Sequence, residues 1–425
     1  MSMRARGLRR ALAAILLAAA SVVLVAQPAA ADEIRDRQYW LADYGIREAW
    51  QTTRGAGVTV AVIDTGIDGS HPDLIGAVVG GMDASGVGSP DGQTPVGDDS
   101  SHGTLVASVL AGRGSGPSGT DGVIGVAPEA NLLSVSVGFS GAGTRSSDDQ
   151  IAEAVRWAVD NGADVINMSL TRNTLEWPES WDDAFLYAMT NDVVVVAAAG
   201  NRGTGTTVVG APATMPGVVT VAGVDQQRRA SEGASSQGIT ISVAAPAERL
   251  VGAGPGGQYF EWEGSSGAAP IVSGLVALIR SAYPELDAAN VINRLIATAT
   301  PVGTPVPSPL YGYGLIDARA AVTASVGQVT ANPMGDLREW IRVNRRADVA
   351  PGAEPIPAPA PTTQPAPQAP DTQASENPNP LGAVLPTVSS LRDVGIPLAV
   401  YVMFASLIVA GITMWRRQVR RAIVS

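Results

Sequence analysis

The 425-residue chain contains two histidines and no cysteine. Thiolate nucleophiles, disulfides and thiolate metal sites are therefore excluded. Nucleophilic chemistry in such a chain falls to a hydroxyl served by His71 or His102. Three segments supply suitable parts. Asp64 closes the apolar run VTVAVID (58–64), His102 lies in SSHGTLVASVLAG (100–112), and Ser265 and Ser266 open GSSGAAPIVSGLVALIR (264–280). A hydroxyl, an imidazole to take its proton and a carboxylate to orient that imidazole are the parts of acyl transfer through a covalent intermediate. Each part also has an ordinary use. An Asp after a strand caps helices or turns, a single His packs or solvates, and serines with a proline in the next turn (Pro270) suit a helix N-terminus.

These residues need a frame that brings them together. Between about 32 and 325, apolar runs rich in β-branched residues alternate with helical patterns. Strands are expected at 58–64, 131–138, 163–170, 192–201 and 217–225, and helices at 102–112 and 148–162, the latter with Ile151, Val155 and Ala158 on one stripe. Continuous apolar strands alternating with helices predict a mostly parallel, doubly wound α/β sheet covered on both faces. In such sheets the crevice beyond the strands' carboxyl ends is the reactive place. Asp64 and Asn201 end their strands there.

Taken together, VAVIDTGID, HGTLVASVLAG and GSSGAAPIVSGLVAL resemble, in that order, the Asp, His and Ser signature segments of the subtilisin-like serine proteases. IGVAPEANLLSVSV (124–137), INMSL (166–170), VVVVAAAGN (193–201) and YGYGLIDARAAV (311–322) are similar to further segments of that family. The resemblance spans roughly residues 55 to 325. It implies a subtilisin-like fold, peptide hydrolysis, Ser266 as nucleophile, His102 as general base and acid, Asp64 as its orienting carboxylate and Asn201 as oxyanion donor. It implies a substrate wall at Ser169, Leu170 and Thr171, no cofactor and no metal at the catalytic centre. Ser265 is expected to support the turn, and His71 to be structural. Three positions depart from the family pattern: Ser265 stands for threonine, Thr171 for glycine, and Gly267 for a bulky apolar residue, which is expected to loosen the helix entrance. The Asp/Gly-rich stretch 83–99 is expected to be a mobile loop near the site, since it lacks calcium-ligand spacing.

The ends carry addressing signals. Arg4, Arg6, Arg9 and Arg10 precede an apolar run and a small-residue cleavage site, so residues 1–31 are expected to be a signal peptide. Residues 394–415 are uncharged, and 22 residues at ~1.5 Å each span a hydrocarbon core of ~30 Å. Four arginines follow at once, which predicts a transmembrane helix with a cytoplasmic tail, 416–425, and a body outside the cytoplasm. Residues 326–393 are expected to form a linker, with ten prolines between 351 and 380. Net charge is −11, with every acidic residue between 32 and 393, so the body does not suit nucleic acid. Before the catalytic domain (58–325) stands an extension, 32–57, too short for a folding pro-domain. It is rich in aromatics, and is expected to strap onto the body away from the groove or, alternatively, to cover the groove. This layout resembles the mycosins of actinobacterial type VII secretion. That resemblance implies protein or peptide substrates, partnership with the secretion system's membrane complex, and membrane attachment through the carboxyl-terminal helix. The alternatives are a scaffold in that complex whose catalysis is dispensable, and a general surface subtilase.

Overall fold

The computed structural model describes residues 29–116, 119–139 and 141–345. The signal segment up to residue 28, the linker beyond 345, the 394–415 span and the tail lie outside the described residues.

Seven strands form one sheet in the order β2-β5-β1-β6-β7-β8-β9. They are β1 Thr59–Asp64, β2 Val78–Asp83, β5 Asn131–Ser136, β6 Val165–Met168, β7 Val194–Ala198, β8 Val219–Val224 and β9 Ile241–Pro246. Every pairing is parallel. All residues of β6, β7, β8 and β9 are buried, so side chains pointing either way meet cover. The helices Ser147–Asp160 and Glu179–Thr190 pack together as one layer, and His102–Ala111 and Ser265–Ala282 as another. The expected α/β architecture is therefore present. Among the described residues, only Ser265–Ala282 is long and apolar enough to cross a membrane, and with 78% of it buried it is the core helix of the body.

Sequence periodicity does not reveal two smaller sheets. Strands β3 Arg113–Ser115 and β4 Asp121–Ile124 form a short antiparallel pair, and β10 Leu250–Gly254 pairs antiparallel with β11 Gln258–Trp262. The latter hairpin is rich in glycine, which masks alternation. Gly254 leaves room for the Phe260 ring to lie across it.

The extension is a strap of three short helices, Ala29–Asp36, Trp40–Asp43 and Ile46–Ala49. Trp40, Leu41 and Ile46 are fully buried. The Gln38 amide donates to the Ile124 carbonyl at 2.8 Å and accepts from the Ile124 N–H at 2.9 Å, serving β4 as a strand neighbour would. Tyr39 Oη donates to the Glu248 carbonyl (2.9 Å) and Trp50 Nε1 to the Val126 carbonyl (2.8 Å). Thr53 Oγ1 meets Ser281 Oγ at 2.7 Å. Among the described residues no strap hydrogen bond reaches Asp64, His102, Ser266, Asn201 or residues 169–171. The strap reading therefore fits better than a cover over the groove.

The carboxyl-terminal boundary differs from the expected one. Residues 326–345 are not linker but part of the folded body. Asn290 exchanges hydrogen bonds with Val329 (2.8 and 3.1 Å), and Gly217 with Asn332 and Met334 (3.1 and 3.0 Å). Asp336 caps the helix Leu337–Asn344, Leu337 is buried, and Trp340 lies on Trp177 with ring centroids 4.3 Å apart. Arg345 Nε donates to Asp182 at 2.9 Å. The proline-rich composition that suggests a linker begins only at 351, and the capped amphipathic run GDLREWIRVN precedes it.

Trp40 is the largest fully buried side chain of the strap. Trp40→Ala is expected to cost about 3–5 kcal/mol of stability, read as a lower urea midpoint. An unchanged midpoint would mean that the strap is peripheral.

Candidate active site

Asp64 is the last residue of β1 and is almost fully buried. Its Oδ1 accepts from the Thr65 N–H at 2.7 Å. His102 is the first residue of its helix, and its Nδ1 lies 2.8 and 3.0 Å from the two Asp64 oxygens. A carboxylate only accepts, so Nδ1 carries the proton and Nε2 presents a lone pair. Gly103 makes this meeting possible. A Cβ there would run into the Gly66 carbonyl oxygen, and the Gly103 N–H donates to Thr65 Oγ1 at 3.0 Å. Gly66 itself has φ +99°, a conformation other residues rarely adopt. Strand end and helix start are thus pressed together at backbone distance. Burial pushes the His102 imidazole down. The charge and hydrogen bond of Asp64, with Asp99 beyond, push harder the other way, so its pKa lies above the ordinary 6.5. The edge of Trp262, at the end of β11, meets the ring at a centroid distance of 5.9 Å.

The serines divide the work between them. Gly264 precedes the helix with φ +141°, and neither serine caps it in the ordinary way. Ser265 is fully buried. Its hydroxyl accepts from the Gly200 N–H at 3.0 Å and lies 2.9 Å from Asn201 Oδ1, and its N–H donates to the same Oδ1 at 2.8 Å. With its oxygen so occupied, Asn201 presents its NH2, which has no hydrogen-bond partner among the described residues. A Cβ on Gly264 would stand 3.0 Å from that nitrogen. Ser266 is half-buried at the first turn, where its N–H has no helical partner. Its hydroxyl donates to the Ser169 carbonyl at 3.1 Å rather than to His102.

The proposed wall follows β6. The Ser169 hydroxyl donates to the Ser266 carbonyl at 2.8 Å, Leu170 and Thr171 are half-buried, and Thr171 Oγ1 donates to the Arg172 carbonyl at 3.1 Å. His71 is placed elsewhere. Its Nδ1 accepts from the Asp73 N–H at 3.1 Å and its Nε2 donates to the Gln258 carbonyl at 3.2 Å, a packed role. Gly267 does not loosen the entrance, because a Cβ there would collide with Leu250 Cδ1 and lie 3.4 Å from Trp262. Nor is the stretch 83–99 loose. Asp83 accepts from Ser85, Gly88 and Ser136, Ser134 Oγ donates to the Gly92 carbonyl at 2.6 Å, and the Val96 N–H donates to the Thr65 carbonyl at 2.8 Å. Among the described residues no group of His, Asp and Glu is placed to hold a metal. Sequence reasoning missed Thr65 and Trp262. Thr65 directly follows Asp64 and could have been singled out, whereas Trp262 reaches the site only through the hairpin.

With two histidines, both rings can be followed by NMR. His102 is expected to titrate above 6.5 and to show a deshielded Nδ1 proton. Asp64→Asn should lower the midpoint, and Gly103→Ala should abolish the deshielded signal by parting strand and helix. A His102 midpoint unmoved by Asp64→Asn would contradict the pairing.

The chain is similar to known proteins in sequence and in fold. The Subtilase family matches residues 55–314. Subtilisin DY of Bacillus licheniformis is 41% identical over 277 residues, covering 64% of this chain and 93% of that one. MycP1 from Mycobacterium smegmatis superposes with a TM-score of 0.58 at 31% identity, covering 68% of this chain and 85% of its own. The MycP3 protease from the type VII (ESX-3) secretion system does so with a TM-score of 0.56 at 33% identity, covering 67% and 88%. The family match runs through the strands and helices that carry Asp64, His102, Asn201 and Ser266, and the chain belongs to the subtilase family as a subtilisin-like serine endopeptidase.

Proposed function

We propose that this chain is a membrane-anchored, extracytoplasmic endopeptidase in which Asp64, His102 and Ser266 form the catalytic triad and Asn201 the oxyanion donor. The observation that carries the assignment is the Asp64–His102 hydrogen bond beside a helix that opens on Ser266. An extended peptide lies along residues 169–171. Ser266 Oγ turns from the Ser169 carbonyl and attacks the scissile carbonyl carbon while His102 Nε2 takes its proton. The carbonyl oxygen becomes negative and meets Asn201 Nδ2 and the Ser266 N–H, at the positive end of the helix dipole. His102 then gives the proton to the leaving amine. Water hydrolyses the acyl-enzyme by the same route, and Asp64 holds the imidazole throughout.

Association with a type VII secretion complex rests on the likeness to MycP1 and MycP3, of which the latter is a protease of such a system. Anchoring rests on the uncharged run 394–415 and the arginines after it. Proteins or peptides exported by that system are the substrates this reading assigns.

A serine-directed fluorophosphonate should label the protein at Ser266, and Ser266→Ala or His102→Ala should abolish labelling. A folded wild type that takes no label would favour a scaffold. Asn201→Ala should lower kcat by about 10²–10³ with little change in KM. A loss confined to KM would make Asn201 a substrate-binding residue instead. The base must be neutral to accept a proton, so kcat/KM should climb as pH rises through the raised pKa of His102. An acid limb centred below 6.5 would contradict that assignment.

A further inference from the structure

Beneath Ser266 the core contains a line of polar groups that neither the sheet nor the helix needs. Asn167 sits inside β6, with Val62 and Val196 as its register partners on either side, and is fully buried. Ser273 lies on the buried face of the helix Ser265–Ala282, also at zero exposure. A valine or alanine would serve the packing at either place. Each donor in the line instead has one acceptor, and all the donors run in one direction. Ser273 Oγ donates to Asn167 Oδ1 at 2.8 Å. Asn167 Nδ2 donates to Ser169 Oγ at 3.0 Å. Ser169 Oγ donates its own proton to the Ser266 carbonyl at 2.8 Å, while Ser266 Oγ donates back to the Ser169 carbonyl at 3.1 Å.

We propose that Ser273, Asn167 and Ser169 form a directional hydrogen-bond chain whose task is to position the nucleophile, with Ser273 as a remote positioning residue. The proposal rests on the reading of Ser266 as nucleophile. The direction of the chain follows from proton supply. The Ser266 carbonyl can only accept, so the Ser169 hydroxyl donates to it and accepts from the Asn167 NH2, which turns Oδ1 toward the Ser273 hydroxyl. Without the Ser273 hydroxyl, Asn167 Oδ1 is buried and unpaired, which is costly. Nothing then holds the amide in one orientation against the other. Turned over, its oxygen would face Ser169 and draw the hydroxyl proton away from Ser266. Both ends of the Ser169–Ser266 pair loosen, and the nucleophile loses its fixed starting position on the Ser169 carbonyl. Substrate still binds along the 169–171 backbone, which the substitutions leave intact.

The test uses the full chain, with Ser169→Ala, Ser273→Ala and the double variant assayed on a peptide substrate and with the fluorophosphonate. Each single variant is expected to lower kcat and the labelling rate about tenfold with KM within about twofold, and the double to be no worse than the worse single. Thermal unfolding of each variant establishes that it is folded. Unchanged kcat in folded Ser273→Ala, or losses that multiply in the double variant, would overturn the chain. Label that survives Ser266→Ala would overturn the nucleophile assignment and the proposal with it. Label lost in Ser266→Ala but taken up at the wild-type rate by Ser273→Ala would overturn the proposal alone.

Discussion

The contact between Gly103 and the Gly66 carbonyl is the constraint from which the site is built. Any side chain at 103 would push the His102 helix off the end of β1. The neighbouring bonds depend on that closeness: Thr65 Oγ1 can reach the Gly103 N–H, and Asp64 can reach His102 Nδ1. Gly66 turns the chain away from the strand, and Gly92 and Val96 fold the next loop back against that turn. The loop 83–99 is ordered for the same reason. It packs on a backbone already fixed by the helix contact.

Around this contact, polar groups are fixed by what they already bond to, leaving particular atoms free. Asn201 Oδ1 is held by the Ser265 N–H and approached by its hydroxyl, so the amide NH2 is free. Asp64 is saturated by Thr65 and His102, so Nε2 is free. Asp64 ends β1 and Asn201 follows β7, so these donors and acceptors lie at the carboxyl ends of parallel strands. Preorganisation means that few groups have to reorient during the proposed reaction. Ser266 Oγ, resting on Ser169, is one that must.

Much of this was legible in the sequence. Asp64 after a β-branched run, His102 before glycine and Ser266 before a small-residue helix each have a local signal, because each is set by the first or last turn of its own element. The buried strands were legible for a similar reason, since continuous valine runs need no partner to be recognised. What was not legible depends on distant partners. Trp262 meets His102 only through a glycine-rich hairpin, and the ordered stretch 326–345 is held by Asn290, Gly217 and Asp182, far earlier in the chain. Gly267 looked like a defect in the helix entrance until Leu250 and Trp262 were seen to occupy the space beside it. Asn167 carries no local signal within INMSL, and its partner Ser273 lies more than a hundred residues on.

The amino-terminal strap has a kinetic meaning as well as a packing one. Tyr39 bonds to a residue 209 positions away, and Thr53 to one 228 positions away. The strap thus has partners at Ile124 and Val126 and others much farther along the chain, at Glu248 and Ser281. Contacts of such high order close the longest loops in the molecule and form late. Full docking of the strap therefore requires residues as far along as Ser281.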